Sequence, residues 1–325
     1  MRPAPATRPL LLAWTSDHYE VPLPEGHPFP MGKYAAVRRR LLEDGVLAHD
    51  ELRRAEPAPA EWVELVHDGG YVARARDGGL DADEQRRLGL PWSPALARRS
   101  FASVHGTVMA AAAALEHGVA GNLAGGTHHA FRDRGAGYCV FNDLAVAVAV
   151  LRREGAIRRA LIVDLDVHQG DGTAAIFAGD PDVFTLSLHG AGNYPLRKER
   201  STLDIELPDG CGDDAYLDTV DRFVPEALAA HGPDLVLYQA GVDGLAEDRL
   251  GRLALTRDGL AGRDERVFRA CEAAGVPVAV TMGGGYGQPL SATVEAHVNT
   301  WRAARRSRAR RAEGAVPAPP REASA

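Results

Sequence analysis

In the stretch DLDVHQGD, Asp164, Asp166 and His168 stand at alternate positions. In an extended segment their side chains share one face. Two carboxylates with an imidazole are donors that a divalent metal accepts. The same letters also fit a helix N-cap with a spare histidine, or an Asp-x-Asp phosphatase-like nucleophile, although that chemistry has no need of the histidine. Asp243, in YQAGVDGL, offers a third donor or else caps a turn. Two carboxylates and one imidazole leave a metal open to water and substrate, the mark of a catalytic rather than a structural site.

A second stretch, GGTHHAFRDRGAGYC (125–139), sets His128 beside His129 immediately after two glycines. On a strand the two rings point to opposite faces, and on a helix they diverge. Tyr286 follows three glycines in GGGYGQ. That segment lacks the GK[ST] ending of a phosphate-binding loop and lies too late in the chain for a first dinucleotide turn. A sharp turn that presents a tyrosine hydroxyl, a good donor to an oxyanion, suits it better.

These residues need a scaffold, and the patterning supplies one. Short apolar runs at 159–166, 183–188, 234–241 and 276–285, each bounded by Gly, Pro or polar residues, read as strands buried on both faces. LLLAW near the N-terminus reads as a first buried strand. Ser93-Pro94 opens a helix that runs to Gly118, and further helical patterns separate the strands. The expected fold class is α/β: a single domain with a mainly parallel sheet flanked by helices on both faces. The unusual residues fall at the C-terminal ends of the runs, at His128-His129, at Asp166, His168 and Asp171, at His189, at Asp243 and at Tyr286. In an open parallel sheet that edge is where ligands bind.

Composition narrows the function. Hydrophobic residues make up 45% and charged residues 25% of the 325, the balance of a globular enzyme or binding protein. A net charge of −7 argues against a nucleic-acid-binding surface. The exception is the basic run from Arg302, which with GAVPAPPREASA reads as a disordered tail over 305–325, leaving 1–304 as the catalytic domain. LLLAW is too short to span a membrane. Cys139, Cys211 and Cys271 show no CxxC spacing, so a cytoplasmic, reducing setting is expected. Nothing here sets the oligomeric state.

Taken together, GGTHHAFRDRGAGYC, DLDVHQGDG, AGVDGLAEDRLG and GGGY, with HPFPMGKYAAVRRRLLEDGVL from His27, resemble the histone deacetylase family of metal-dependent deacylases. DRLGRLALT and the NYP at 193–195 are similar to its compact class IV branch and bacterial relatives. The resemblance implies an arginase/deacetylase fold, one catalytic Zn2+ (or Fe2+), and hydrolysis of an N-acyl amide on a lysine-like amine. It assigns Asp166, His168 and Asp243 as metal ligands, and His128 and His129 as the catalytic pair oriented by Asp164 and Asp171. Tyr286 becomes the catalytic tyrosine, with Gly137, Tyr138, Tyr194 and Leu250 around the substrate. A structural K+ would draw on Asp164, Asp166, His168, Ser187 and Leu188. The alternatives are an acetylpolyamine or other small-amide deacetylase, an arginase-like ureohydrolase, whose DAHxD and SxDxDxxDP patterns are missing, and a non-catalytic binding protein.

Overall fold

The apolar runs become strands. The computed structural model describes residues 9–314. It has β1 (Ala13–Thr15), β2 (Leu52–Arg54), β3 (Val119–Asn122), β4 (Ala160–Asp164), β5 (Val183–Gly190), β6 (Leu203–Leu207), β7 (Leu235–Gln239) and β8 (Val278–Thr281). All pair in parallel, in the order β2-β1-β3-β8-β7-β4-β5-β6. Alternate residues of a strand enter different layers. Leu161 and Val163 join the core beneath helices Lys33–Glu43, Asp213–His231, Arg257–Ala273 and Leu290–Gly314, whereas Ala160 and Ile162 join the one beneath Pro94–His117 and Asp143–Arg153. The covering of both faces explains why the central strands are unbroken apolar runs.

Local chemistry sets the helix starts. Ser93 Oγ accepts from the Leu96 N–H at 3.0 Å, with Pro94 in the first turn. Asn142 and Thr256 cap their helices in the same way, through Ala145 and Gly259. Among the described residues no helix is long and apolar enough to cross a membrane, and the three cysteines are buried and unpaired.

The expected tail needs correction. The last helix does not stop near 304 but runs from Leu290 to Gly314, and its arginines are anchored rather than solvated. Arg302 pairs with Asp44 and Glu295, Arg305 with Glu51, and Arg310 with Glu265 and Glu272. Arg305 also donates to the Val46 and Pro9 carbonyls, and Arg311 to that of Val276. The basic run is matched by acids scattered through the sequence. Residues 315–325 of the expected tail lie outside the described residues.

Glu51 is fully buried, and cutting the chain after Ala304 takes the Arg305 guanidinium away from its carboxylate. Both that truncation and Arg305→Ala are expected to cost about 3 kcal/mol or more, read as a lower urea midpoint. Burial raises the Glu51 carboxyl, but Arg305 and two backbone N–H groups overcome it and hold the group below its ordinary 4.5. The stabilisation is therefore present above that value and fades as pH falls through the lowered one, so wild type and variant should converge in acid. Equal midpoints at pH 7 would discard the clasp.

Candidate active site

β4 ends at Asp164 and the chain bends over 166–168. The extended segment expected for DLDVH is thus cut short, and its three side chains do not share one face. Asp164 turns to His128, while Asp166 and His168 turn to Asp243, which follows β7. Ligand atoms of Asp166, His168 and Asp243 all lie within 4.8 Å of one another, and all three residues are buried. His168 Nδ1 stands 3.0 Å from Asp166 Oδ1 and 3.1 Å from Asp243 Oδ2.

Two carboxylates so close and so deep resist joint ionisation. Burial and the Asp166 charge push Asp243 up to about 7. His168 is driven the other way: burial opposes its charge, but hydrogen bonds to both carboxylates raise it to about 10. The cluster draws positive charge to its centre, and two oxygens with one nitrogen are a donor set that suits zinc or ferrous iron. Surrounding donors fix the oxygens. Gln239 Nε2 and the Gly284 N–H both donate to Asp166 Oδ2 at 2.8 Å, and the Val167 N–H donates to Asp243 Oδ1 at 3.0 Å.

His128 and His129 occupy a turn rather than a strand or helix, and their ring centroids are 4.1 Å apart. Gly125 and Gly126 make the turn possible, with φ near +75° at each. A Cβ on Gly125 would stand 2.3 Å from Asp143 Oδ2. That buried carboxylate pins the turn, accepting from the Gly126 and Thr127 N–H groups at 3.1 and 2.7 Å. Each ring then meets its own carboxylate, His128 Nδ1 with Asp164 Oδ2 at 2.7 Å and His129 Nδ1 with Asp171 Oδ1 at 2.6 Å.

The two rings are electrostatically unlike. Burial disfavours charge on His128, but Asp164 and then Asp166 outweigh it and raise the group to about 9. Burial, joined by the charge of His128, lowers His129 to about 4. Gly137 packs under His129, where a Cβ would come within 2.5 Å of the ring.

Tyr286 shares a cavity wall with both His129 and His168. Burial, with Asp243 and Asp166, holds its phenol well above the ordinary value, so it keeps its proton. Two residues steady its loop. Lys33 Nζ, fully buried, donates to the Gly283 carbonyl at 3.0 Å. Asp248 Oδ2 accepts the Tyr286 N–H at 2.6 Å, and Oδ1 accepts the N–H groups of Leu250 and Gly251. Above them opens a funnel of about 400 Å³ that Gly137, Tyr138, Tyr194 and Leu250 help to line. Tyr138 takes φ +67°, an uncommon conformation for a residue with a side chain. The Tyr194 ring meets His129 edge-on at 4.9 Å.

His189 is the expected residue that stays away. It lies fully buried in β5 with Nδ1 2.9 Å from Ser187 Oγ, and it does not line the funnel. The delivering strands are therefore β3, β8, β7 and β4, four neighbours in the sheet. Ser187 lies in register with Asp164 across β4 and β5, and Leu188 follows it, buried. The pattern reading passed over Lys33, Asp143 and Gln239. Only NDLA, a polar pair opening a helix, and the Gln at the end of LVLYQ carried any signal.

A histone deacetylase domain model matches residues 27–301. An uncharacterized protein of Picosynechococcus sp. is 48% identical over 287 residues, spanning 88% of this chain and 96% of its own. A histone deacetylase-like amidohydrolase of Pseudomonas aeruginosa is 31% identical, over 82% of this chain and 74% of its own. A crystal structure of a histone deacetylase homologue complexed with SAHA superposes with a TM-score of 0.76 at 26% identity, covering 91% of this chain and 84% of its own. The parallel sheet and its helices are the arginase/deacetylase fold. By the family model and by relatives of this likeness, the chain belongs to the histone deacetylase family.

Proposed function

We propose that this protein is a metal-dependent deacylase that hydrolyses the N-acyl amide, acetyl or longer, of an acyl-lysine. The observation that carries the reading is the meeting of the Asp166/His168/Asp243 cluster, His129 and Tyr286 at the foot of one funnel. A zinc or ferrous ion held by the three ligands would supply Lewis acidity, acidifying a water from about 16 toward 7 and polarising the amide carbonyl.

The chain's own groups do the rest. His129, oriented through Nδ1 by Asp171, takes the proton of the attacking water at Nε2 and later returns one to the departing amine, an effect of about 10²–10⁴ in rate. His128, kept charged by Asp164, adds a positive field beside it. Tyr286 donates its phenolic hydrogen to the developing oxyanion. The Gly137 carbonyl accepts the substrate amide N–H, and Tyr138 and Tyr194 flank the lysine arm. A structural K+ at Asp164, Asp166, His168, Ser187 and Leu188 belongs to the same reading. So does a cytoplasmic setting, which three unpaired buried cysteines suit.

Asp243→Ala should remove most of the bound metal and all turnover while far-UV circular dichroism stays native. Full metal content by plasma emission in that variant would misassign the ligand. His129→Ala and Tyr286→Phe should each retain one metal per chain yet lose orders of magnitude in kcat, about 10²–10³ for the Tyr286 hydroxyl. Near-normal kcat in Tyr286→Phe would contradict its role.

Leu250, at the funnel mouth, offers no partner to the second ammonium of a polyamine. Leu250→Glu is expected to raise kcat/KM for acetylspermidine about tenfold, since a partly exposed charge pair is worth on the order of 1 kcal/mol. Unmodified enzyme that deacetylates acetylspermidine much faster than every acyl-lysine peptide would sink the lysine assignment.

A further inference from the structure

The charge around the funnel mouth is one-sided. Its deep end holds His129, His168 and Tyr286, while the charged side chains that line its outer part are Arg87 and Arg252. Among the described residues, no aspartate or glutamate lines it. The two arginines come from different parts of the chain. Arg87 sits in the last turn of the helix Ala82–Leu88, and its carbonyl accepts the Gly137 N–H at 3.2 Å. Arg252 comes from the loop after Asp243. Its N–H donates to Asn193 Oδ1 at 3.2 Å, beside Tyr194.

A third arginine adds to the field. Arg249 is exposed and forms no ion pair among the described residues, and its charge acts on the Tyr138 phenol against the raising effect of burial. Of the loop's two acids, Glu247 is exposed but does not line the mouth. Asp248 is turned inward, its oxygens taken by the N–H groups of Tyr286, Leu250 and Gly251. Arg252 meets Asp209 at 3.3 Å, but both side chains are more than half exposed, which leaves the guanidinium open to exchange.

We infer that this mouth is an anion-recognition site, in which Arg87, Arg249 and Arg252 select acyl-lysine substrates that carry a carboxylate next to the lysine. The inference rests on the acyl-lysine reading above. With the lysine arm in the apolar neck, the lysine α-carbon sits at the rim among the guanidinium groups. The carboxylate there has two sources: the α-carboxylate of a free or C-terminal acyl-lysine, or an acidic side chain flanking an internal one. The same field disfavours a polyamine, whose second ammonium group would enter the ring of cations. Because the groups are solvated, the discrimination is modest and salt-sensitive.

Steady-state kinetics on the metal-loaded full chain would compare Nα-acetyl-Nε-acetyl-lysine with its carboxamide. A second arm would compare acetyl-lysine peptides followed by Glu or by Lys. At about 20 mM salt the anionic member of at least one pair should have kcat/KM roughly three- to tenfold higher, and the ratio should fall toward one near about 500 mM. The arm that shows the preference identifies the source of the carboxylate. Arg87→Gln/Arg252→Gln should shrink the ratio and Arg87→Lys/Arg252→Lys should restore it. Ratios of one in both arms at low salt, or faster turnover of the Lys-flanked peptide, would overturn the inference.

Failure of the acyl-lysine reading looks different, since the neutral carboxamide would then not turn over either. In that event the mouth is tested by calorimetry with two hydroxamates of one chain length, one ending in a carboxylate and one in a methylamide. Tighter binding of the acid supports an anion site, and equal binding rejects it.

Discussion

Two carboxylates, Asp166 and Asp243, face one another in a buried pocket, and much of the surrounding structure answers that repulsion. Gln239 and the backbone of Gly284 hold one oxygen of Asp166, and the backbone of Val167 holds one of Asp243. Behind them lies a second buried cation, Arg263. It donates to the Leu165 and Gly241 carbonyls, and so ties the loop after β4 to the loop after β7. Its partner Asp264 accepts in turn from Tyr238 and from Thr300 of the last helix. A buried polar network of this kind is stabilising only when every member is satisfied, and here it also ties together the two loops that carry the carboxylates.

The paired histidines show how environment divides labour between identical side chains. Both are buried and each has one carboxylate partner, yet one is held charged and the other neutral. The difference comes from what lies beyond the first partner. Asp166 stands 3.9 Å from His128 Nε2, whereas His129 faces the charged His128 and the His168 ring. Once one of two neighbouring imidazoles is ionised, the second resists charge. Opposed environments of this sort separate acid–base roles in hydrolytic sites.

The sequence made the central strands legible because burial on both faces leaves continuous apolar runs, and it made the site legible because the chemistry gathers at their C-terminal ends. The short edge strands were not legible: β2 is LRR and β6 is LDIEL, and polar edges are how sheets discourage further pairing. The DLDVH segment misled by its alternation, since a bend after Asp164 is a tertiary effect that no local pattern records. The basic run from Arg302 misled for a related reason. Its partners Asp44, Glu51, Glu265 and Glu272 are far away in sequence, and charge that looks uncompensated locally is neutralised only in three dimensions. Lys33 acts on a backbone group across the fold, so nothing in its immediate neighbours marks it, and Asp143 is marked only by the polar pair that opens its helix.

The place of β8 in the sheet has a consequence for how the molecule is made. β3 pairs with β1 on one side and β8 on the other, while β8 also joins β7, and through it β4 and β5. A nascent chain can therefore build two separate sheet fragments, one carrying His128 and His129, the other Asp166, His168 and Asp243. The strand at 278–281 links them. At synthesis rates of about 5–20 residues per second, the first fragment waits about 8–31 seconds for it and the second only about 2–8, each with an open edge. Hydrolytic competence then arrives in a single late step, with the same segment that delivers Tyr286, and no partial assembly on the ribosome holds a working centre.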